Sequence, residues 1–102
     1  MSEWIDVLEA GKLQPGDCTS VTLPDGREIA LYNVGGEVFA TDNVCLHQGG
    51  PLGEGYLEGD CVTCPWHGWQ YNVKTGECLE VPGEKVASFP ARILDGKIQV
   101  QI

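Results

Sequence analysis

The sequence predicts an all-β fold, and three observations carry that reading. Its apolar residues fall in short runs, with no long stretch of helical period. Turn chemistry separates those runs, at Pro24-Asp25-Gly26, Gly35-Gly36, Lys74-Thr75-Gly76 and Asp95-Gly96. The chain ends in strict alternation: Ile98, Val100 and Ile102 on one face, Lys97, Gln99 and Gln101 on the other, as in a half-buried strand.

Trp4 is expected in a first strand, with its indole in the core. Val7 to Leu13 is the one stretch suited to a helical turn, cut short by Gly11 and Pro15. Glu28 to Val34 and Glu37 to Thr41, joined by Gly35-Gly36, read as a hairpin. Ala91 to Leu94 pairs with the final strand across Asp95-Gly96. Between Asn43 and Asn72 the composition changes. That stretch holds both histidines, three of the five cysteines, two of the three tryptophans and a run dense in Gly and Pro from Gly49 to Gly55. Taken alone, such glycines read as a flexible hairpin tip; the competing reading is a backbone that must approach a neighbour closely.

A length of 102 residues and a formal charge of −9 describe one small acidic domain. At 42% hydrophobic the chain can fill a core, which excludes a disordered acidic segment. Fifteen acidic residues against six basic ones exclude a polyphosphate or anionic-membrane partner. No apolar run is long enough to span a bilayer, and Met1 to Lys12 lacks the pattern of a secretion signal, so a soluble cytoplasmic protein is expected.

In that compartment an odd number of cysteines points to metal binding or buried thiols before disulfides. Both histidines lie near cysteines, in Cys45-Leu46-His47 and Cys64-Pro65-Trp66-His67, with sixteen residues between His47 and Cys64. Two thiolate–imidazole pairs that use every histidine of the chain make a metal site. Two centres accept such donors: a tetrahedral zinc, or a 2Fe–2S cluster with cysteines on one iron and histidines on the other. The Cys-x-His spacing is short for zinc, and Cys64 to Trp69 is poorly suited to a zinc-finger helix.

The pattern Cys45-x-His47 and Cys64-x2-His67, in a small all-β chain with Cys64-Pro65-Trp66-His67-Gly68-Trp69, resembles the Rieske-type iron–sulfur proteins over nearly the whole length. The resemblance implies a single Rieske domain over 1–102. An antiparallel β-sandwich base (about 1–43 and 72–102) would carry an inserted cluster-binding subdomain (about 44–71). It further implies one 2Fe–2S cluster, with Cys45 and Cys64 on the inner iron and His47 and His67 on the outer iron. A third loop around Pro82, Leu79 to Glu84, would cover the cluster. Respiratory members carry a disulfide at the positions of Gly50 and Trp66, and a sulfur-bonding serine at the position of Trp69; this chain has neither. It does keep a tyrosine, Tyr71, at the family's other sulfur-bonding position. The resemblance thus implies a low-potential ferredoxin whose potential Tyr71 lifts.

Oxygenase catalytic subunits add an iron held by two histidines and a carboxylate, and here both histidines are committed. The resemblance therefore implies an electron-transfer component and not an enzyme: a monomeric one-electron carrier between a flavin-dependent NAD(P)H reductase and a terminal aromatic-ring-hydroxylating oxygenase. The alternatives are a small Rieske subunit or relative of an assimilatory nitrite reductase and, from another class, a structural zinc-binding interaction module. Glu54, Glu58, Asp60, Glu77, Glu80 and Glu84 either steer docking or keep the carrier soluble. Cys18, Cys61 and Cys78 read as small buried or half-buried hydrophobes. Trp66 and Trp69 either pack or shield the cluster from water.

Overall fold

The computed structural model describes residues 3–46, 49–66 and 68–101. Among these, strands β1 (Trp4–Glu9), β2 (Cys18–Thr22), β3 (Glu28–Val34), β4 (Glu37–Asp42), β5 (Tyr56–Glu58), β6 (Cys61–Thr63), β7 (Gln70–Asn72), β8 (Ser88–Phe89), β9 (Ala91–Leu94) and β10 (Lys97–Gln101) are joined by turns and two short 3-10 turns. They form three sheets, ordered β1-β10-β9, β2-β3-β4-β8 and β5-β6-β7, with every pairing antiparallel. None of the helical turns is long and apolar enough to cross a membrane.

Both hairpins form where the turn dipeptides put them. Gly35 and Gly36 take φ values of 61° and 102°, the left-handed pair that a tight hairpin needs, and the Asn33 side chain accepts the Gly36 N–H at 2.8 Å. Asp95-Gly96 does the same between β9 and β10, with φ values of 52° and 76°.

Strand β3 organises the interior. Residues Ile29 to Asn33 are all buried, because β3 is covered on both faces. Its period-2 alternation sends Ile29 and Leu31 to one core, with Leu13, Leu23, Val38, Ala40, Ile98 and Val100. Ala30 and Tyr32 go to a second core, with Leu52, Val62, Tyr71, Val73, Val86 and three cysteines. The first core fills the space between the two larger sheets; the second joins the four-stranded sheet to the small sheet β5-β6-β7.

Two expectations are corrected here. The helical turn shrinks to one 3-10 turn at Ala10–Lys12, because Val7 to Glu9 continue β1, where Leu8 and Glu9 pair with Ile98 and Lys97. Trp4 lies in β1 but not in the core. It stands in phase with Asp6, on the face where Asp6, Gln99 and Arg92 are linked by hydrogen bonds of 2.6 and 2.8 Å. Half-buried on that outer face, its ring lies 4.0 Å from the Arg92 guanidinium carbon.

The glycine-rich stretch is fixed to the scaffold and is not a loose tip. Asn43 is buried, and its side-chain oxygen accepts the Gly53 N–H at 2.7 Å and the Ser20 hydroxyl at 3.1 Å. A Cβ on Gly53 would stand 2.5 Å from the Thr19 carbonyl oxygen, and one on Gly55 would overlap the Thr63 carbonyl. These glycines let the 3-10 turn Leu52–Glu54 lie against β2 and β3.

Candidate metal centre

Two short loops leave the sheets at the same place. The first follows the Val44–Pro51 bridge and closes on itself: Cys45 N–H donates to the Gly50 carbonyl at 2.9 Å, and Gly49 N–H to the Cys45 carbonyl at 2.8 Å. The second follows β6 and closes where Cys64 N–H meets the Trp69 carbonyl at 2.7 Å. Gly49 and Gly68 supply positive φ, 74° and 76°, within these turns.

Cys45 and Cys64 are thereby buried, at 2% and 1% exposure, with their thiols neighbours. Burial pushes the Cys64 thiol up. The Trp66 N–H, 3.4 Å from its sulfur, works the other way, and the adjoining Cys45 thiol raises it again. Two neighbouring buried sulfurs are soft donors, and a cationic centre stabilises both as thiolates, so the pair fits a metal cluster.

Tyr71 ties the site to the sheet. It lies on β7 opposite Val62, fully buried, with its hydroxyl 3.3 Å from Cys45 Sγ. The same oxygen accepts the Leu46 N–H at 2.9 Å. The phenol accepts the Leu46 N–H and keeps its own proton, which it can donate to a Cys45 thiolate. Burial, then the Cys45 sulfur, raises the Tyr71 pKa, which keeps the phenol protonated as a donor.

Of the four expected ligands, the structure brings Cys45 and Cys64 together; His47 and His67 lie outside the described residues. The remaining cysteines match their reading as packed thiols: Cys78 is buried and Cys18 and Cys61 are half-buried, with all five cysteines free. Burial raises the Cys61 thiol, and the Asp60, Glu80 and Glu58 carboxylates raise it further, so it is a poor nucleophile. Cys18, also raised by burial, donates to the Gly55 carbonyl at 3.5 Å.

The Leu79 to Glu84 segment is pinned beside the second loop. Leu79 N–H donates to the Gln70 carbonyl at 2.9 Å, and Gln70 N–H to a Glu80 carboxylate oxygen at 2.8 Å. The acidic residues divide. Glu80 sits against β7 near this end, whereas Glu58 and Asp60 flank the Gly59 turn at the opposite end of β5 and β6 from Cys64. Glu58 and Asp60, close to Cys64 in sequence and so expected near the cluster, are carried away from it by the antiparallel hairpin. Trp66 is exposed and Trp69 half-buried against the second core. Sequence reading missed the Leu46–Tyr71 link and the Asn43 clamp, since each joins residues that no local pattern connects.

An all-β chain that brings two buried thiols together from two loops, backed by a tyrosine hydroxyl, offers a donor pair for a metal centre. Residues 3–90 match the family model of the Rieske [2Fe-2S] domain. The ferredoxin component of the naphthalene 1,2-dioxygenase system of Pseudomonas putida is 35% identical over 101 residues, 98% of this chain and 96% of that protein. A solved complex of reduced oxygenase and oxidised ferredoxin in carbazole 1,9a-dioxygenase contains a chain with TM-score 0.86 and 34% identity, covering 95% of this chain and 91% of that one. A structure described as an NADH-dependent nitrite reductase small subunit from Mycobacterium tuberculosis superposes with TM-score 0.90 at 28% identity, over 100% and 96% of the two chains.

The chain belongs to the Rieske [2Fe-2S] domain family. Its cofactor is one Rieske-type 2Fe–2S cluster, which decides against the zinc module.

Proposed function

We propose that this protein is a one-electron carrier that receives electrons from a flavin-dependent NAD(P)H reductase and delivers them to a terminal ring-hydroxylating oxygenase. The observation that carries the reading is the buried Cys45–Cys64 pair with the Tyr71 hydroxyl on Cys45, in a chain of the Rieske family. Similarity over nearly full length to ferredoxin components of dioxygenase systems supports the choice of partners. The cluster, when bound, takes up and releases one electron. Cys45 and Cys64 hold its inner iron and His47 and His67 its outer iron; residues of about 44–71 form the part that holds it, on a base of about 1–43 and 72–102. The protein works as a cytoplasmic monomer.

The chain's own residues set the conditions of transfer. Burial of both thiols excludes water from one side, and Tyr71 donates its proton toward Cys45, which stabilises the extra negative charge of the reduced state. Leu46 and Trp66, each adjacent in sequence to an outer-iron ligand, are exposed and offer an apolar contact to a partner. Glu80 lies near this end, and residues 44–71 contain neither Lys nor Arg, so a basic partner surface is attracted to it.

Stopped-flow absorption tests the reading. NADH with a flavoprotein reductase bleaches the visible band, and a substrate-loaded terminal oxygenase restores it within its turnover time. Bleaching that no oxygenase reverses contradicts the assignment. The fold match to the nitrite reductase small subunit supports one competing reading, in which reoxidation follows a nitrite reductase catalytic subunit instead.

A further inference from the structure

The two ligand loops are each closed by their own backbone bonds, and Tyr71 fastens the first to β7 from the buried side. We propose that Trp66 is a positioning residue for the cluster: its indole, seated on Gly50, clasps the Cys45 loop to the Cys64 loop. The inference rests on the cluster reading above and adds a determinant of how firmly the cluster is held.

Gly50 is buried, and a Cβ there would stand 2.9 Å from Cys64 Sγ and 2.9 and 3.0 Å from Cγ and Cδ2 of the Trp66 indole. The indole and the thiol thus both lie against the bare glycine backbone, with no space for even a methyl group between them. Gly50 in turn accepts the Cys45 N–H at 2.9 Å, so whatever rests on Gly50 rests on the backbone that presents Cys45. From the other side, the Trp66 N–H points at Cys64 Sγ at 3.4 Å. One residue therefore touches the sulfur of the second loop through its backbone and the closing glycine of the first through its ring. Its 49% exposure fits this role: one face of the ring covers Gly50 and the rest remains in solvent, unlike a core tryptophan. All five cysteines are free, so this contact between the loops is non-covalent and is made by packing.

The test is release of iron to a chelator from the purified holoprotein, followed by visible absorption, with the reduction potential measured in parallel. Trp66→Ala is expected to lose iron about tenfold faster than wild type. Trp66→Phe, which keeps a flat ring on the glycine, should recover most of that difference. Gly50→Ala is expected to speed release as well, because the added methyl displaces the ring and crowds Cys64 Sγ. In the double variant the two effects should fall short of additive, since they break one contact. The potential should shift in Trp66→Ala and return in Trp66→Phe. Should Trp66→Ala fail to load a cluster, Trp66→Phe against Trp66→Leu decides: only the aromatic variant should hold iron as wild type does. Wild-type release from Trp66→Ala, full additivity, or equal behaviour of Leu and Phe would overturn the clasp. If wild type itself binds no iron and sulfide, the cluster reading fails; if wild type binds them and the variants match it, only the clasp fails.

Discussion

The two faces of β3 look into two different interiors. Ile29 and Leu31 face a core made of hydrocarbon alone: leucines, valines, isoleucine and alanine from both larger sheets and the segments that connect their strands. Ala30 and Tyr32 face a core that holds Cys45, Cys64, Cys78 and Tyr71. The first interior needs only apolar area and a good fit. In the second, each polar group must find a partner: Tyr32 meets the Thr41 hydroxyl at 2.8 Å, and Tyr71 meets Leu46 and Cys45. The proposed cluster ligands Cys45 and Cys64 thus belong to a folding core, in which thiols and hydroxyls replace methyl groups. Stability is expected to depend chiefly on the first interior and potential on the second.

The largest effect should come from the ligands. Cys45→Ser or Cys64→Ser is expected to abolish bound iron and labile sulfide in the purified protein, while far-UV circular dichroism retains the sheet signal of the base. A variant with a full complement of iron would remove that cysteine from the site. Leu31→Ala should break the other side of the comparison. It opens a cavity in the hydrocarbon core and is expected to cost about 2–5 kcal/mol in urea unfolding, with the potential unchanged. A shifted potential with little loss of stability would show that the two interiors are not separable in this way.

Tyr71→Phe should lower the potential by about 20–60 mV, the equivalent of one hydrogen bond of about 0.5–1.5 kcal/mol for a one-electron couple. Voltammetry on the two proteins measures it, and an unchanged potential would deny the hydroxyl its electronic role. The smallest effect is expected at the outer face of β1. Removing the cation from the Trp4 ring by Arg92→Ala should cost about 0.5–1 kcal/mol, read from the urea midpoint, and leave iron content and potential as in wild type.

Sequence alone disclosed the features whose cause is local. Gly35-Gly36 and Asp95-Gly96 require left-handed backbone, so both hairpins could be read directly. The Cys-x-His and Cys-x2-His spacings singled out Cys45 and Cys64, which the structure brings together; His47 and His67 lie outside the described residues. What escaped was phase and long-range fit. Trp4 is apolar but stands in phase with Asp6 and opposite Gln101, so alternation places it outside. Gly53 and Gly55 are small because Thr19 and Thr63 press on them, and no turn signal encodes that. Glu58 and Asp60 are near Cys64 in sequence and at the far end of the hairpin in space, since β5 and β6 run antiparallel.

The central claim is that Cys45, Cys64, His47 and His67 hold one 2Fe–2S cluster. Pulsed EPR of the dithionite-reduced protein, beside iron and labile-sulfide analysis of the same sample, tests it most directly. Two irons and two sulfides per chain are expected, with hyperfine coupling from two imidazole nitrogens that falls to one, with a changed spectrum, in His47→Cys or His67→Cys. A colourless zinc protein, or a 2Fe–2S signal without nitrogen coupling, would contradict it.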